Sequence, residues 1–102
     1  MERILVYGMT DNLGGIETYI MMLYRRMDKT RMIFDFVTDF PSMTFADEVS
    51  RAGSRIYYIP AKGKDLKGHL REMNRLLKEH PEYKAVYFNI VDAGAAVTLS
   101  AA

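Results

Sequence analysis

The residues best suited to bind a ligand lie in a loop close to the N-terminus. A short apolar run ends at Gly8, and the chain then passes through Gly14 and Gly15 into a segment with helical periodicity. A strand that leads through glycines into a helix N-terminus presents backbone N–H groups to an anion. Glycine also lets a ligand come close, because it has no Cβ. We therefore predict that Gly14 and Gly15 face a ligand; the alternative is a plain turn followed by a helix cap.

The spacing of these glycines excludes two nucleotide-binding motifs. A dinucleotide fingerprint would read G-x-G-x-x-G directly after the strand, and a P-loop would end in Gly-Lys-Ser/Thr. Here Ile16 and Glu17 follow the glycine pair. Glu17 stands three positions after Gly14, so its carboxylate can reach back to the N–H of that residue as half of a capping box. Because this carboxylate would repel a phosphate on the helix axis, we expect an anion to approach the glycine pair from one side.

A second candidate group follows the last predicted strand. Asn89 and Asp92 stand where the carboxyl end of that strand would be, and ligands bind open α/β folds at this edge of the sheet. Asn89 is suited to hydrogen bonds with a hydroxyl-rich ligand. Asp92 is a candidate base, although the simpler interpretation is the N-cap of a following helix. No catalytic residue can be assigned from these patterns.

Composition excludes several classes of function. The chain has no cysteine, and His69 and His80 are too far apart in sequence for a common metal-ligand pair, so we expect no metal site. Because the dinucleotide and P-loop motifs are also excluded, we expect no cofactor. With 14 basic and 13 acidic residues, the charge is too balanced to favour a nucleic-acid partner. The N-terminus lacks the long apolar run of a signal peptide, which favours a cytoplasmic protein. We expect both histidines to lie at the surface.

Apolar and amphipathic segments alternate along the whole chain. This order, β-α-β-α-β-α-β-α, predicts an α/β fold: a Rossmann-like parallel sheet of four strands with helices on both faces. The predicted strands are 4–7, 32–37, 56–59 and 85–88, and the predicted helices are 16–27, 45–52, 66–80 and 93–102.

The two longer helices each carry an apolar stripe at helical spacing, which we expect to be buried. The stripes are Ile16, Ile20, Leu23 and Met27 in the first helix and Leu66, Leu70, Met73 and Leu77 in the third. Basic residues surround the third helix. They favour a solvated face, and a peripheral membrane contact is the alternative.

Three segments resemble the start of family 4-type glycosyltransferases of the GT-B fold. They are Arg3-Ile4-Leu5-Val6, Gly14-Gly15-Ile16-Glu17 and Gly53-Ser54-Arg55-Ile56-Tyr57-Tyr58-Ile59-Pro60. The resemblance implies a two-lobed enzyme whose first lobe is Rossmann-like and binds the acceptor. Residues 1–102 would be part of that first lobe, and the second lobe is absent from this sequence. It also implies a nucleotide-sugar donor, a glycan or lipid-linked acceptor in surface polysaccharide synthesis, and a retaining reaction without a metal.

The same resemblance implies that Gly14 and Gly15 face the donor and that Asn89 and Asp92 lie near the acceptor. On this interpretation the chain alone is inactive, and its exposed apolar surface leads us to expect self-association. The rival hypothesis is a free-standing flavodoxin-like or Rossmann-like binding or regulatory module.

Overall fold

The computed structural model describes residues 2–11 and 13–88, which form four strands and three helices in the predicted order. The strands are β1 (Glu2–Tyr7), β2 (Met32–Thr38), β3 (Ile56–Tyr58) and β4 (Val86–Phe88). The helices are α1 (Gly15–Arg26), α2 (Ala46–Arg51) and α3 (Leu66–Glu79). The predicted last helix, Asn89 and Asp92 lie outside the described residues.

All four strands are parallel, and their spatial order is β3-β2-β1-β4. The chain runs outward from β1 to β2 and β3 and then returns to place β4 on the other side of β1. The order therefore reverses between β1 and β4, where open α/β sheets place their ligands. Because the strands are parallel, their C-terminal ends meet at one edge of the sheet, which we call the carboxyl edge.

Two apolar clusters cover the two faces of the sheet, which confirms helices on both sides. One cluster packs α1 and α2 against the sheet and includes Val6, Ile20, Met21, Tyr24, Ile33, Phe34, Phe36 and Val49. The other packs α3 against the opposite face and includes Leu5, Tyr7, Val37, Ile59, Met73, Leu76 and Tyr83. Leu5, Val6 and Tyr7 of β1 thus alternate between the two buried faces, as expected of a parallel sheet covered by helices.

The predicted buried stripes are wrong for the first residue of each long helix. Ile16 is 46% exposed and Leu66 is 45% exposed. In α1 the buried side instead includes Glu17 and Tyr24, and in α3 it includes His69. The stripes contain apolar residues alone, whereas these polar side chains form hydrogen bonds that make their burial favourable.

Candidate functional site

The loop between β1 and α1 is held in place by one buried carboxylate. Glu17 is only 5% exposed. Its Oε1 accepts the backbone N–H of Gly14 at 3.1 Å, and its Oε2 accepts the hydroxyl of Thr10 at 2.9 Å. The predicted return of Glu17 to the helix N-cap is therefore confirmed. Both oxygens serve to fix the loop, and the charge lies at the end of the helix where an anion is favourable.

The two glycines of the predicted site have different environments. A Cβ at Gly14 would lie 2.8 Å from Oε1 of Glu17, whereas a Cβ at Gly15 would meet nothing within 4 Å. Gly14 thus makes room for the carboxylate that caps the helix. Gly15 is exposed at the first position of α1, where backbone N–H groups have no intrahelical partner. That Gly14 and Gly15 face a ligand stays a prediction.

This loop is joined to the next loop of the carboxyl edge by two hydrogen bonds. The hydroxyl of Thr38, at the end of β2, donates to the carbonyl of Met9 at 2.8 Å. The backbone N–H of Thr44, before α2, donates to the carbonyl of Thr10 at 2.9 Å. The β1–α1 and β2–α2 loops therefore form one connected surface.

A group of polar side chains that the sequence did not single out meets at the same edge. We call it the carboxyl-edge cluster, and it consists of Tyr7, Asp39, Lys62 and His69. Tyr7 ends β1, Asp39 follows β2, Lys62 follows β3, and His69 lies in the first turn of α3. Three separate loops and strand ends converge here because all the strands are parallel.

His69 lies at the centre of this cluster with no exposed surface, so its predicted position at the surface is wrong. Its Nδ1 lies 2.8 Å from the carbonyl of Pro60, and its Nε2 lies 3.3 Å from the hydroxyl of Tyr7. A carbonyl can only accept, so Nδ1 carries the proton that it donates to Pro60, and Nε2 forms the second hydrogen bond with the hydroxyl of Tyr7. The spacing of His69, Met73 and Leu76 was the sequence signal that could have predicted this burial.

Asp39 and Lys62 form the more accessible side of the cluster. Oδ2 of Asp39 accepts the backbone N–H of Lys62 at 3.3 Å, and it lies 3.7 Å from Nζ of Lys62 and 3.8 Å from Nδ1 of His69. The Asp39 side chain retains 11% of its exposure and that of Lys62 retains 23%. Asp39 directly follows a parallel strand, and that position was the available signal for a role at this edge.

Three further observations bear on the sequence predictions. His80 is partly exposed, and its Nδ1 lies 3.0 Å from a carboxylate oxygen of Glu82. Across residues 2–11 and 13–88, no three His, Asp or Glu side chains gather as metal ligands would. In the same ranges, no helix combines the length and apolarity needed to cross a membrane.

The described residues form a Rossmann-like α/β unit. Its carboxyl-edge cluster lies at the edge where such sheets bind ligands. The chain is 35% identical over 78 residues to the protein named Putative glycosyltransferase EpsF from Bacillus subtilis (strain 168). The match covers 74% of this chain and 20% of that protein, so the chain spans about a fifth of the length of this curated relative. The similarity supports a relationship to glycosyltransferases at the general level. No family model matches the chain, and no solved structure matches it.

Proposed function

We propose that this chain forms the first part of a glycosyltransferase that moves a sugar from a nucleotide-sugar donor to a glycan or lipid-linked acceptor. The observation that carries the proposal is the 35% identity to a protein named as a glycosyltransferase over most of this chain. In the proposed enzyme, residues 1–102 belong to the N-terminal lobe of a two-lobed GT-B protein of the family 4 type. The reaction is retaining and metal-independent, and it serves surface polysaccharide synthesis in the cytoplasm.

The geometry of the β1–α1 loop supports a donor-facing role for Gly15. Its open side lies at the carboxyl edge and at the N-terminus of α1. Backbone N–H groups there can stabilise the negative charge that develops on a departing nucleoside diphosphate. Gly14 contributes by allowing Glu17 to fix the loop. Asn89 and Asp92 remain proposed acceptor-side residues, and they lie outside the described residues.

The test begins with the gene beyond codon 102. We expect the reading frame to continue into a second lobe with paired glutamates, and we expect the full-length protein to release nucleoside diphosphate from UDP-glucose or GDP-mannose when a glycan acceptor is added. The 102-residue chain is the matched control, and we expect it to release none because the donor-binding lobe is missing. A frame that stops after Ala102 would contradict the two-lobed enzyme and favour the binding or regulatory module.

A second arm tests the loop in the full-length protein. Gly15→Val places a branched side chain on the open side of the loop, so we expect turnover to fall while folding is retained. Ser50→Val, on the exposed side of α2, introduces the same side chain away from the loop and serves as the control. Equal activity of the two variants would contradict the donor-facing role of Gly15.

A further inference from the structure

One oxygen of Asp39 has no hydrogen-bond donor in the described part of the chain. The contacts of this side chain with residues 2–11 and 13–88 fall on Oδ2, which faces the backbone N–H of Lys62, its Nζ and His69. The side chain is nearly nine-tenths buried. The remaining exposure lets a ligand at the carboxyl edge reach the side chain, and a carboxylate oxygen without a protein donor can accept a hydrogen bond from that ligand.

The surroundings of Asp39 are fixed rather than adaptable. Its backbone follows Thr38, whose hydroxyl is bound to the carbonyl of Met9. Its Oδ2 is bound to the β3–α3 loop, and that loop is itself fixed by the hydrogen bond between His69 and the carbonyl of Pro60. The carboxylate is therefore preorganised before any ligand arrives, which reduces the entropy lost on binding.

The chemistry beside this oxygen determines what can bind. The ammonium of Lys62 lies 3.7 Å from the other carboxylate oxygen, so an acceptor and a donor stand next to each other at the edge of the sheet. A phosphate or carboxylate ligand would be repelled by Asp39. Neighbouring hydroxyl groups fit both partners, because a hydroxyl can donate to the carboxylate while the next one accepts from the ammonium.

We propose that Asp39 and Lys62 form a binding site for adjacent hydroxyl groups of a sugar, with Asp39 Oδ1 as the acceptor and Lys62 Nζ as the donor. His69 is a positioning residue for this site. It holds the β3–α3 loop through Pro60 and the end of β1 through Tyr7, and it does not contact the ligand. The choice of a sugar rests on the proposed glycosyltransferase function, and the site would hold a sugar hydroxyl face against the carboxyl edge.

The test measures binding by the 102-residue chain itself. The ¹⁵N-labelled chain is titrated with methyl α-D-glucopyranoside, and tetrahydropyran serves as the control ligand because it has the same ring without hydroxyl groups. We expect saturable amide shifts around Asp39, Lys62 and Gly63 with the glucoside and none with tetrahydropyran. The absence of saturable shifts with the glucoside would overturn the proposal.

Two variants locate the site. Asp39→Asn keeps the size of the side chain and removes its charge, so we expect binding to weaken about tenfold, the effect of losing a hydrogen bond to a charged group. Asp47→Asn makes the same change on the exposed side of α2, and we expect no effect on binding. Equal affinity of both variants for the glucoside would overturn the assignment to Asp39.

The spectra of the two variants also report whether each one folds. If the amide spectrum of Asp39→Asn collapses, Lys62→Met provides the second variant, because it keeps the backbone N–H that binds Oδ2 and removes only the ammonium. We then expect weaker glucoside binding by a folded chain, and unchanged binding would overturn the site. Failure of this proposal is distinguishable from failure of the proposed function, because nucleoside-diphosphate release by the full-length protein is measured separately.

Discussion

Asp35 lies within β2 and Asp39 directly follows it. The contacts of these two aspartates show how the carboxyl edge of the sheet differs from the opposite edge, which we call the amino side. Asp35 has no exposed surface, and both of its oxygens are used. Oδ1 accepts from Arg3 at 2.7 Å and from the backbone N–H of Arg55 at 2.9 Å, and Oδ2 accepts from Arg3 at 2.9 Å and from Tyr83 at 2.5 Å. Asp39 has contacts on Oδ2 alone within the described residues. A fully used carboxylate stabilises the fold, whereas a partly used one at the carboxyl edge can bind a ligand.

The partners of Asp35 come from the amino ends of the neighbouring strands. Arg3 lies near the start of β1, Arg55 precedes β3 and Tyr83 precedes β4. Burial, followed by the hydrogen bond to Asp35, raises the pKa of Tyr83 well above its usual range. Tyr83 therefore remains a hydroxyl donor at any physiological pH. Both oxygens of Asp35 are thus used by the described residues at the amino ends of the strands, so Asp35 offers no free oxygen of the kind that we propose for Asp39.

The largest expected effect is the loss of stability in Asp35→Asn. This variant keeps the side-chain size and places an amide donor among the donors of Arg3 and Tyr83. Breaking a buried charge pair by removing one partner costs about 3–5 kcal/mol, and we expect the lower part of this range because Arg3 is 19% exposed. Urea unfolding of the purified chain measures the change.

Asp39→Asn is the matched variant on the other side, and we expect it to cost less than about 1 kcal/mol because the amide oxygen can still accept the N–H of Lys62. Equal destabilisation by the two substitutions would show that both aspartates are structural, and the comparison would fail.

The next largest loss of stability is expected from a substitution of His69, which tests whether the loops of the carboxyl edge are held rigidly. His69→Leu removes the hydrogen bonds that His69 forms with the hydroxyl of Tyr7 and with the carbonyl of Pro60. Losing a hydrogen bond to a buried group costs about 1–3 kcal/mol. We expect a total of about 2–4 kcal/mol by urea unfolding, because the bond to Pro60 is only partly buried. Tyr7→Phe removes one of these bonds and serves as the control, with an expected loss of about 1 kcal/mol. If His69→Leu were as stable as the original chain, the rigid support that we assign to Asp39 would be absent.

Local patterns in the sequence predicted the strands and helices well, because the periodicity of apolar residues within a segment indicates its secondary structure. The apolar run before Gly8 is buried on both faces of a parallel sheet, and Asp65 caps α3 through the N–H of Gly68 at 2.9 Å. Gly53, predicted to end α2, has a φ of 102°, which glycine adopts without strain. The cap and the glycine turn depend on contacts within a few residues, and the strand is recognised by its own apolar run.

The polar networks could not be predicted in this way, because their partners are distant in sequence. The contact between Tyr7 and His69 spans 62 positions, and that between Asp35 and Tyr83 spans 48. An isolated histidine in a basic helix is typical of a surface residue. Its spacing with Met73 and Leu76 indicates burial, but only the packing of α3 against β1 shows its partners. The roles of Asp35 and Asp39 likewise depend on which strand ends lie beside them, and local periodicity carries no information about that.

The glycine pair allows a smaller and sharper comparison. Gly14→Ala would place a Cβ 2.8 Å from Oε1 of Glu17, so the carboxylate must move and weaken its bonds to the loop, at a cost of about 1–2 kcal/mol. Gly15→Ala meets nothing within 4 Å, and we expect it to stabilise the helix by about 0.5–1 kcal/mol because alanine restricts the unfolded chain. Thermal or urea unfolding distinguishes a loss of stability in Gly14→Ala from a gain in Gly15→Ala. Destabilisation of similar size in both variants would mean that Gly15 is also needed for the fold.

The smallest expected effect is the pH dependence contributed by Glu82 on the amino side. A hydrogen bond from its own backbone N–H, followed by those from Arg55 and His80, lowers the pKa of Glu82 from 4.5 to about 2. Because the folded-state pKa is depressed, this stabilisation is present above pH 4.5 and is lost as the pH falls toward about 2. The Arg55–Glu82 pair is exposed on both sides, so solvent screening keeps its contribution small.

Glu82→Gln removes the titration without changing the size of the side chain. We therefore expect the urea midpoint of the original chain to fall more steeply than that of Glu82→Gln between pH 4.5 and about 2, while the two curves run parallel above that window. Glu2→Gln at the exposed start of β1 is the control for a general loss of negative charge. If Glu2→Gln reduced the fall of the urea midpoint at acid pH as much as Glu82→Gln does, the effect would come from net charge. The contacts of Glu82 with Arg55 and His80 would then add nothing specific to the stability of the amino side of the sheet.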